Sequence, residues 1–178
     1  GGREHALAWK IKKSPKVTRV YCAPGNAGSA SLGENVKLSA DDVEGLLAFG
    51  VERGIGLTVV GPEQPLVMGI TDRFREKGLR VFGPSAKAAL IEGSKAFCKD
   101  LLRKYKIPTG DYETFNSASA ARDYIRGKVP LVVKADGLAG GKGVLICREE
   151  AEALRAVNKI MEQRVFGEAG GQVVIEEL

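Results

Sequence analysis

The sequence predicts an α/β protein in two parts: an N-terminal domain on a parallel sheet, then a small α+β module. Three observations carry this reading. Up to Pro84, short apolar runs alternate with amphipathic, helix-length segments, and each run ends in a loop rich in Gly and Pro. That alternation fits a parallel sheet covered on both faces. From Ile107-Pro108 the order becomes β-α-β-β-α-β, which suits an antiparallel sheet with helices on one face. Between two of the later strands lies Lys134-Ala-Asp-Gly-Leu-Ala-Gly-Gly-Lys-Gly143, too long and glycine-rich for a tight hairpin turn. The boundaries expected are 1–92 for the first domain, 93–109 for a connecting helical segment and 110–178 for the module.

Taking the elements in order, Gly1-Gly2 leads into a helix through Leu7 and Ile11, with lysines in its last turn. A glycine pair at a helix N-terminus can bind an anion through backbone donors and the helix dipole. Such a loop normally follows a strand, so the chain is expected to start one strand late. His5 in the first turn reads, taken alone, as structural. Val17 to Ala23 is a strand that ends in the loop Pro24-Gly25-Asn26-Ala27-Gly28. Asp41 with Glu44 resembles a capping box for a helix with Val43, Leu46, Leu47 and Val51 on one face. Leu57 to Val60 is an apolar strand ending in Gly61-Pro62-Glu63-Gln64-Pro65. A helix bearing Leu66, Ile70 and Phe74 then runs to Gly78, and Leu79 to Phe82 is the next strand. Ligands of parallel sheets bind at the carboxyl ends of strands, where these loops lie, although such turns also simply end strands.

Ser85 to Glu92 and Ser94 to Lys106 form two helices broken at Gly93, the second lined by Phe97, Leu101 and Tyr105. Lys95 occupies the first turn of that helix, where the dipole disfavours a cation. A ligand anion would explain it, though an exposed lysine is the commoner case. Asp111 to Phe115, Pro130 to Ala135, Val144 to Cys147 and Gln172 to Leu178 are strands. Ser119 to Arg126 and Glu149 to Arg164 are helices, the latter burying Ala153, Val157, Ile160 and Met161. The glycine loop can fold backbone N–H groups around an anion, and Lys134 and Lys142 bracket it with positive charge. It departs from the pattern G-x-x-x-x-G-K-[ST], because Gly143 follows Lys142. On glycine content alone, a polyphosphate flap and an unliganded surface hairpin stand level.

Composition bounds the partners. The 178 residues are 44% hydrophobic and 28% charged, with no apolar run near the roughly 20 residues of a membrane span. No signal peptide is visible. The net charge of +5 suits phosphorylated small molecules, and 6% aromatics without basic interleaving argue against nucleic acid. Cys22, Cys98 and Cys147 have no metal-ligand spacing and there is one histidine, so free thiols in a reducing cytoplasm are expected.

Eight blocks in register resemble the glycinamide ribonucleotide synthetases (phosphoribosylamine–glycine ligases) of the ATP-grasp superfamily. They are Gly1-Gly-Arg-Glu-His-Ala-Leu-Ala-Trp-Lys10, Ala23-Pro-Gly-Asn-Ala-Gly28, Val59-Val-Gly-Pro-Glu63, Pro65-Leu-Val67, Phe82-Gly-Pro84, Glu92-Gly-Ser-Lys-Ala-Phe97, Val133 to Gly143, and Val174-Ile-Glu-Glu177. The resemblance implies a pre-ATP-grasp, Rossmann-like first domain and an ATP-grasp lid subdomain, clipped at its C-terminal end. It implies an ATP-dependent ligase of purine biosynthesis that joins glycine to 5-phosphoribosylamine through a glycyl phosphate. The implied ATP contacts are Lys95, Lys134, Asp136, Gly137, Gly140, Gly141, Lys142, Gly143, Glu176, Glu177 and Leu178, the last three forming a hinge at the adenine edge. The implied contacts for the phosphoribosylamine side are Gly1, Gly2, Arg3, Pro24, Gly25, Asn26 and Glu63. Mg2+ or Mn2+ is expected with ligands beyond residue 178, with no metal held by these residues and no activity from this stretch alone. A cytoplasmic protein follows, its oligomeric state open with a monomer favoured, and with neither nucleic acid nor membrane as partner. Alternatives are a noncatalytic nucleotide-binding module and another ATP-grasp ligase with a different acceptor.

Overall fold

A computed structural model describes residues 1–178. The chain divides into two compact units, Gly1–Ala89 and Leu90–Leu178. The first contains α1 (Gly2–Lys12), β1 (Tyr21–Cys22), α2 (Ala27–Ala30), β2 (Glu34–Asn35), α3 (Val43–Glu52), β3 (Thr58–Val59), α4 (Glu63–Val67), α5 (Ile70–Glu76) and β4 (Val81–Phe82). Helix α6 (Ala86–Gly93) spans the boundary between the units.

The expected parallel pairing is present, as two separate ladders, β1 with β2 and β3 with β4. Each ladder is two residues long, shorter than the apolar runs. Strand pairing extends only where a neighbour presents its backbone groups, whereas apolar character marks the whole run. Strand β2 escaped the sequence reading because Glu34 and Asn35 are polar and exposed. The cap of α3 is Asp42, which accepts from the Gly45 N–H at 3.0 Å, rather than Asp41, which is bonded by the Ser39 hydroxyl. Val43 and Leu47 of α3 bury against Ile70 and Phe74, but Val51 is exposed. Gly50 takes the inward place beside it, and a Cβ there would lie 3.2 Å from Leu79. The single helix expected through Leu66, Ile70 and Phe74 is two, because Gly69 adopts φ +88° between α4 and α5. The stop at Gly78 holds. Its φ of +72° lets the Leu79 N–H reach Phe74 O at 2.9 Å, closing the helix end.

The second unit contains α7 (Lys95–Lys104), β5 (Tyr112–Phe115), α8 (Ala118–Ile125), β6 (Leu131–Ala135), β7 (Val144–Cys147), α9 (Glu150–Val157) and β8 (Val173–Glu177). Helix α9 continues as a wider π turn over Asn158–Glu162, and a 3-10 turn spans Gly167–Gly171. The sheet order is β5-β8-β6-β7, with every pair antiparallel. Alternation along β6 and β8 sends Leu131, Val133, Val173 and Ile175 to one face, where Ala121 and Ile125 of α8 and Ala153 and Val157 of α9 cover them. Burying each such valine or isoleucine contributes roughly 1.5–3 kcal/mol.

Helices lie on both faces, against the expectation of one. Ala96 of α7 packs on Val174 and Tyr112 on the opposite side. The small Ala96 side chain lets α7 approach closely. The face expected from Phe97 and Tyr105 points outward, with both exposed. Of the cysteines, all free, Cys147 is buried and Cys22 and Cys98 are half-buried.

Candidate functional site

The alternation that builds the core of the second unit also builds its polar face. Lys134 and Glu176 point away from α8 and α9, toward α7. The register sets Lys134 opposite Val174 and Val132 opposite Glu176, so Lys134 and Glu176 are diagonal neighbours. Lys95 and Lys99 stand four residues apart on α7, hence on one side of that helix. Three lysines and one glutamate therefore converge.

The contacts of each ammonium are specific. Lys134 Nζ pairs with Glu176 Oε1, and Lys99 Nζ pairs with Glu176 Oε2. Lys99 Nζ also donates to Thr109 Oγ1 at 2.7 Å and to Gly110 O at 3.2 Å. Lys95 Nζ donates to Gly137 O at 2.9 Å and to Asp136 O at 3.3 Å. An ammonium has three donors. Lys95 and Lys99 each spend two on hydrogen bonds, whereas Lys134 meets Glu176 only as an ion pair, and Glu176 Oε2 is buried with no hydrogen-bond partner. Burial lowers the pKa of all three lysines, and for Lys134 the charges of Lys99 and Lys95 lower it further. Beside Lys99, the Tyr112 hydroxyl donates to Asp100 at 2.7 Å, and burial with that bond pushes its pKa up to about 12.

Asp136 faces the helix rather than the open side. Its carboxylate accepts from the Ala96 N–H at 2.7 Å and from the Ser94 hydroxyl at 3.0 and 3.1 Å, while Asp136 O accepts from the Lys95 N–H at 3.1 Å. Ser94 caps α7 by accepting from the Phe97 N–H at 3.0 Å. The base of the glycine loop is thus stitched to the start of α7. Glycines of the loop divide by role. A Cβ at Gly137 would lie 2.9 Å from Ala169, and one at Gly143 only 2.6 Å from Ala139, so close packing excludes side chains at the base. At the exposed tip, Gly140 and Gly141 have φ +56° and +76°, with open space around both. Lys142 is exposed beyond them, its N–H bonded to Ala139 O at 3.0 Å. Glu177 and Leu178 are exposed, with the Glu177 N–H bonded to Asp111 O at 3.0 Å.

The remaining predicted residues form a second cluster, in the first unit at the start of α1. Asn26 Nδ2 donates to Gly1 O at 3.2 Å, and Arg3 pairs with Glu63 at 3.4 Å. Asn26 also caps α2, accepting from the Ser29 N–H at 3.0 Å. Gly2 is exposed in the first turn of α1, and Pro24 and Gly25 lead into α2, with Gly25 packed against Asn35. His5 lies under Gly28, where a Cβ would come 2.6 Å from Nδ1, consistent with the structural reading of that ring.

No group of three His, Cys, Asp or Glu residues is placed to hold a metal ion. Asp136 and Glu176, the acids of the site, are engaged by a helix cap and by two lysines. These residues do not fit a divalent cation on their own. What they offer is spare, half-buried ammonium donors beside a flap with open backbone, which suits a polyanion. Lys99 and the pairing role of Glu176 were missed from sequence, although the four-residue spacing from Lys95 was a usable signal.

The model of the phosphoribosylglycinamide synthetase N domain matches residues 1–92, and that of the phosphoribosylglycinamide synthetase ATP-grasp (A) domain matches residues 93–178. The chain belongs to the phosphoribosylglycinamide synthetase family. It is 54% identical over 180 residues to the phosphoribosylamine–glycine ligase of Haemophilus influenzae, covering 99% of this chain and 42% of that protein. The corresponding ligase of Halalkalibacterium halodurans is 53% identical over 178 residues, with the same coverage. The chain therefore spans about two fifths of the length of the curated relatives it matches. Among solved structures, the phosphoribosylamine–glycine ligase of Thermotoga maritima superposes with a TM-score of 0.78 at 31% identity, over 100% of this chain and 42% of that one. N5-carboxyaminoimidazole ribonucleotide synthetase of Thermotoga maritima shares the fold, with a TM-score of 0.66 at 20% identity, over 99% of this chain and 43% of that one. The expected α/β class and family are borne out.

Proposed function

We propose that this chain is the substrate-side and ATP-lid portion of an ATP-dependent ligase that joins glycine to 5-phosphoribosylamine in purine biosynthesis. Residues 1–92 serve as the substrate-side domain, 93–109 as the connecting helical segment and 110–178 as the lid. The observation that carries the reading is the convergence of Lys95 and Lys134, both with spare donors, beside the glycine flap.

In this reading Lys134 and Lys95 hold the ATP phosphates by charge-assisted hydrogen bonds. Gly140, Gly141 and Lys142 close over them. Gly137 and Gly143 keep the base of the flap narrow, and Asp136 anchors it to the start of α7. Excluding water there protects an activated glycine carboxylate from hydrolysis. Glu176, Glu177 and Leu178 carry the chain past the adenine edge, with Glu176 turned to the lysines. Gly1, Gly2, Arg3, Pro24, Gly25, Asn26 and Glu63 meet the phosphoribosylamine. Backbone N–H groups at the start of α1 and the Arg3 guanidinium suit its phosphate. A divalent cation would neutralise charge on the nucleotide phosphates, and its protein ligands are sought outside this set of residues. A cytoplasmic location accords with small, charged substrates, and no helix is long and apolar enough to cross a membrane.

The test is an equilibrium titration with Mg-ATP, beside Lys134→Ala. Saturable binding that falls at least tenfold in the variant, with an unchanged melting temperature, supports the reading. Absence of binding by the unsubstituted chain, or equal affinity in both, overturns the assignment of this site.

A further inference from the structure

We propose that Lys99 is a positioning residue of the nucleotide site: by sharing the Glu176 carboxylate, it leaves the Lys134 ammonium available to phosphate. The inference rests on the nucleotide reading given above and deepens it. Glu176 has two oxygens and two cationic partners, Lys134 on Oε1 and Lys99 on Oε2. Lys99 donates hydrogen bonds to Thr109 and Gly110 and meets Glu176 Oε2 as an ion pair, an oxygen that has no hydrogen-bond partner of its own. With two hydrogen bonds and an ion pair holding it in place, its effect on a ligand is exerted through Glu176.

The lysine is also well fixed. Its side chain is 14% exposed, and its tie to Thr109 and Gly110 joins α7 to the segment entering β5. Glu176, at 10% exposure, has little water with which to share its charge. Without Lys99, both carboxylate oxygens have a single ammonium to satisfy them. Lys134 is then drawn into a closed one-to-one pair, and a phosphate must compete with a carboxylate for it. With Lys99 present, the Lys99–Glu176–Lys134 chain carries a net positive charge, which Lys134 can offer to a ligand.

Groups facing this cluster from the packed elements are Lys95 from α7, Tyr112 from β5, whose ring lies 5.4 Å from Lys99 Nζ, and Asp136, committed to the cap of α7. Lys95 adds to the positive field on Lys134, and the Tyr112 phenol keeps its proton well past neutrality. Lys95, the remaining cation, is held by Gly137 O and Asp136 O and does not take the place of Lys99 on Glu176.

The experiment compares the unsubstituted chain, Lys99→Met and Lys99→Arg for affinity toward Mg-ATP and adenosine, with the Mg-ATP titration repeated from pH 7 to 10. Lys99→Met should lose about tenfold for Mg-ATP, the size of one charge-assisted hydrogen bond, with adenosine affinity unchanged. Lys99→Arg should recover most of the loss, since a guanidinium also satisfies Glu176. Removing the Lys99 charge should move the alkaline fall in Mg-ATP affinity to higher pH, because Lys134 then holds its proton more tightly. Equal losses for Mg-ATP and adenosine, or an unmoved pH profile, would reduce Lys99 to a structural tie and overturn the proposal. Unchanged Mg-ATP affinity in Lys99→Met would overturn it as well, leaving the nucleotide reading intact. Failure of the unsubstituted chain to bind Mg-ATP would instead remove that reading and this inference together. If Lys99→Met does not fold, Lys99→Gln, which removes the charge but keeps donors for Thr109 and Gly110, decides on the same two readouts.

Discussion

Replacing Glu176 with glutamine tests the central interaction of the second unit. The amide keeps the shape of the carboxylate but offers one acceptor and one N–H₂ group. One of the two ammonium groups therefore faces a donor. Side-chain exposures are 10% for Glu176, 14% for Lys99 and 22% for Lys134, so water compensates little. Removing one member of a buried ion pair costs about 3–5 kcal/mol, and the partial exposure of Lys134 favours the lower end. For a unit of about 90 residues, an unfolding entropy of roughly 2.1 cal/mol/K per residue converts about 3 kcal/mol into a fall of about 15 °C in Tm. The pH dependence has a definite sign. Lysines whose folded pKa is lowered from 10.5 bind fewer protons folded than unfolded in the window just below 10.5, so stability rises with pH there. Glu176→Gln lowers those values further, which widens the window toward neutrality. Its deficit should be largest near pH 7 and close as the pH approaches 10. Ionisation of Tyr112 is common to both proteins and cancels in the comparison. Denaturant melts of the two proteins at pH 7 and pH 10 give the answer. A deficit under about 1 kcal/mol at pH 7, or one that stays constant with pH, would refute a buried charge cluster as the source of stability.

Two further substitutions probe the backbone. Lys106, after α7, sits at φ +55°, with its N–H on Arg103 O and the Ile107 N–H on Leu102 O, the arrangement that usually ends on glycine. Lys106→Gly should therefore stabilise by about 1 kcal/mol, or about 5 °C in Tm, and a lower Tm would show that the lysine side chain offsets its strained backbone. Gly141→Val places a β-branched residue at φ +76° in the exposed loop tip, where nothing packs. It should weaken Mg-ATP binding by at least tenfold while costing about 1–2 kcal/mol of stability, and a variant that fails to fold would make Gly141 a structural turn residue instead.

Legibility from sequence followed the range of the interactions involved. The β-α-β-β-α-β order of the second unit was readable because β6 and β8 bury both faces and α9 keeps a strict apolar stripe through Ala153, Val157 and Ile160. In the first unit, apolar runs marked where strands lie but not their length, which depends on the neighbour. Val17 to Val20 is apolar in part, yet pairing starts only at Tyr21, opposite Glu34. Gly78 announced its helix end, whereas Gly69, an equally ordinary glycine in the sequence, split a helix that periodicity had joined. Helix faces were misread where small residues do the packing. Ala96 and Gly50 go inside while Phe97 and Val51 stay out, because close approach of the backbone outweighs side-chain size there. Lys95 and Lys134 were marked by position alone, but their partners, Gly137 and Glu176, lie far along the chain from each. No local pattern ties Lys99 to Glu176 across that separation.

The two acids of the site make the same physical point from different sides. Carboxylates beside a phosphate site weaken it unless their charge is spent elsewhere. Asp136 spends its charge on the start of α7, where the Ala96 N–H and the Ser94 hydroxyl bind it and the helix dipole favours an anion. Its backbone and that of Gly137 then hold the Lys95 ammonium through carbonyl oxygens, which fix its position without neutralising it. Glu176 spends its charge on two lysines at once, so neither is cancelled. Burial lowers the pKa of all three ammonium groups, and the charges of Lys99 and Lys95 lower that of Lys134 further, so the charged cluster costs stability. A polyphosphate arriving at Lys134 and Lys95 would offset the burial of both and the repulsion on Lys134 and raise their pKa values, so binding should be accompanied by proton uptake at alkaline pH. In the proposed nucleotide site a phosphate would remove that cost, and a neutral ligand would have no equivalent effect.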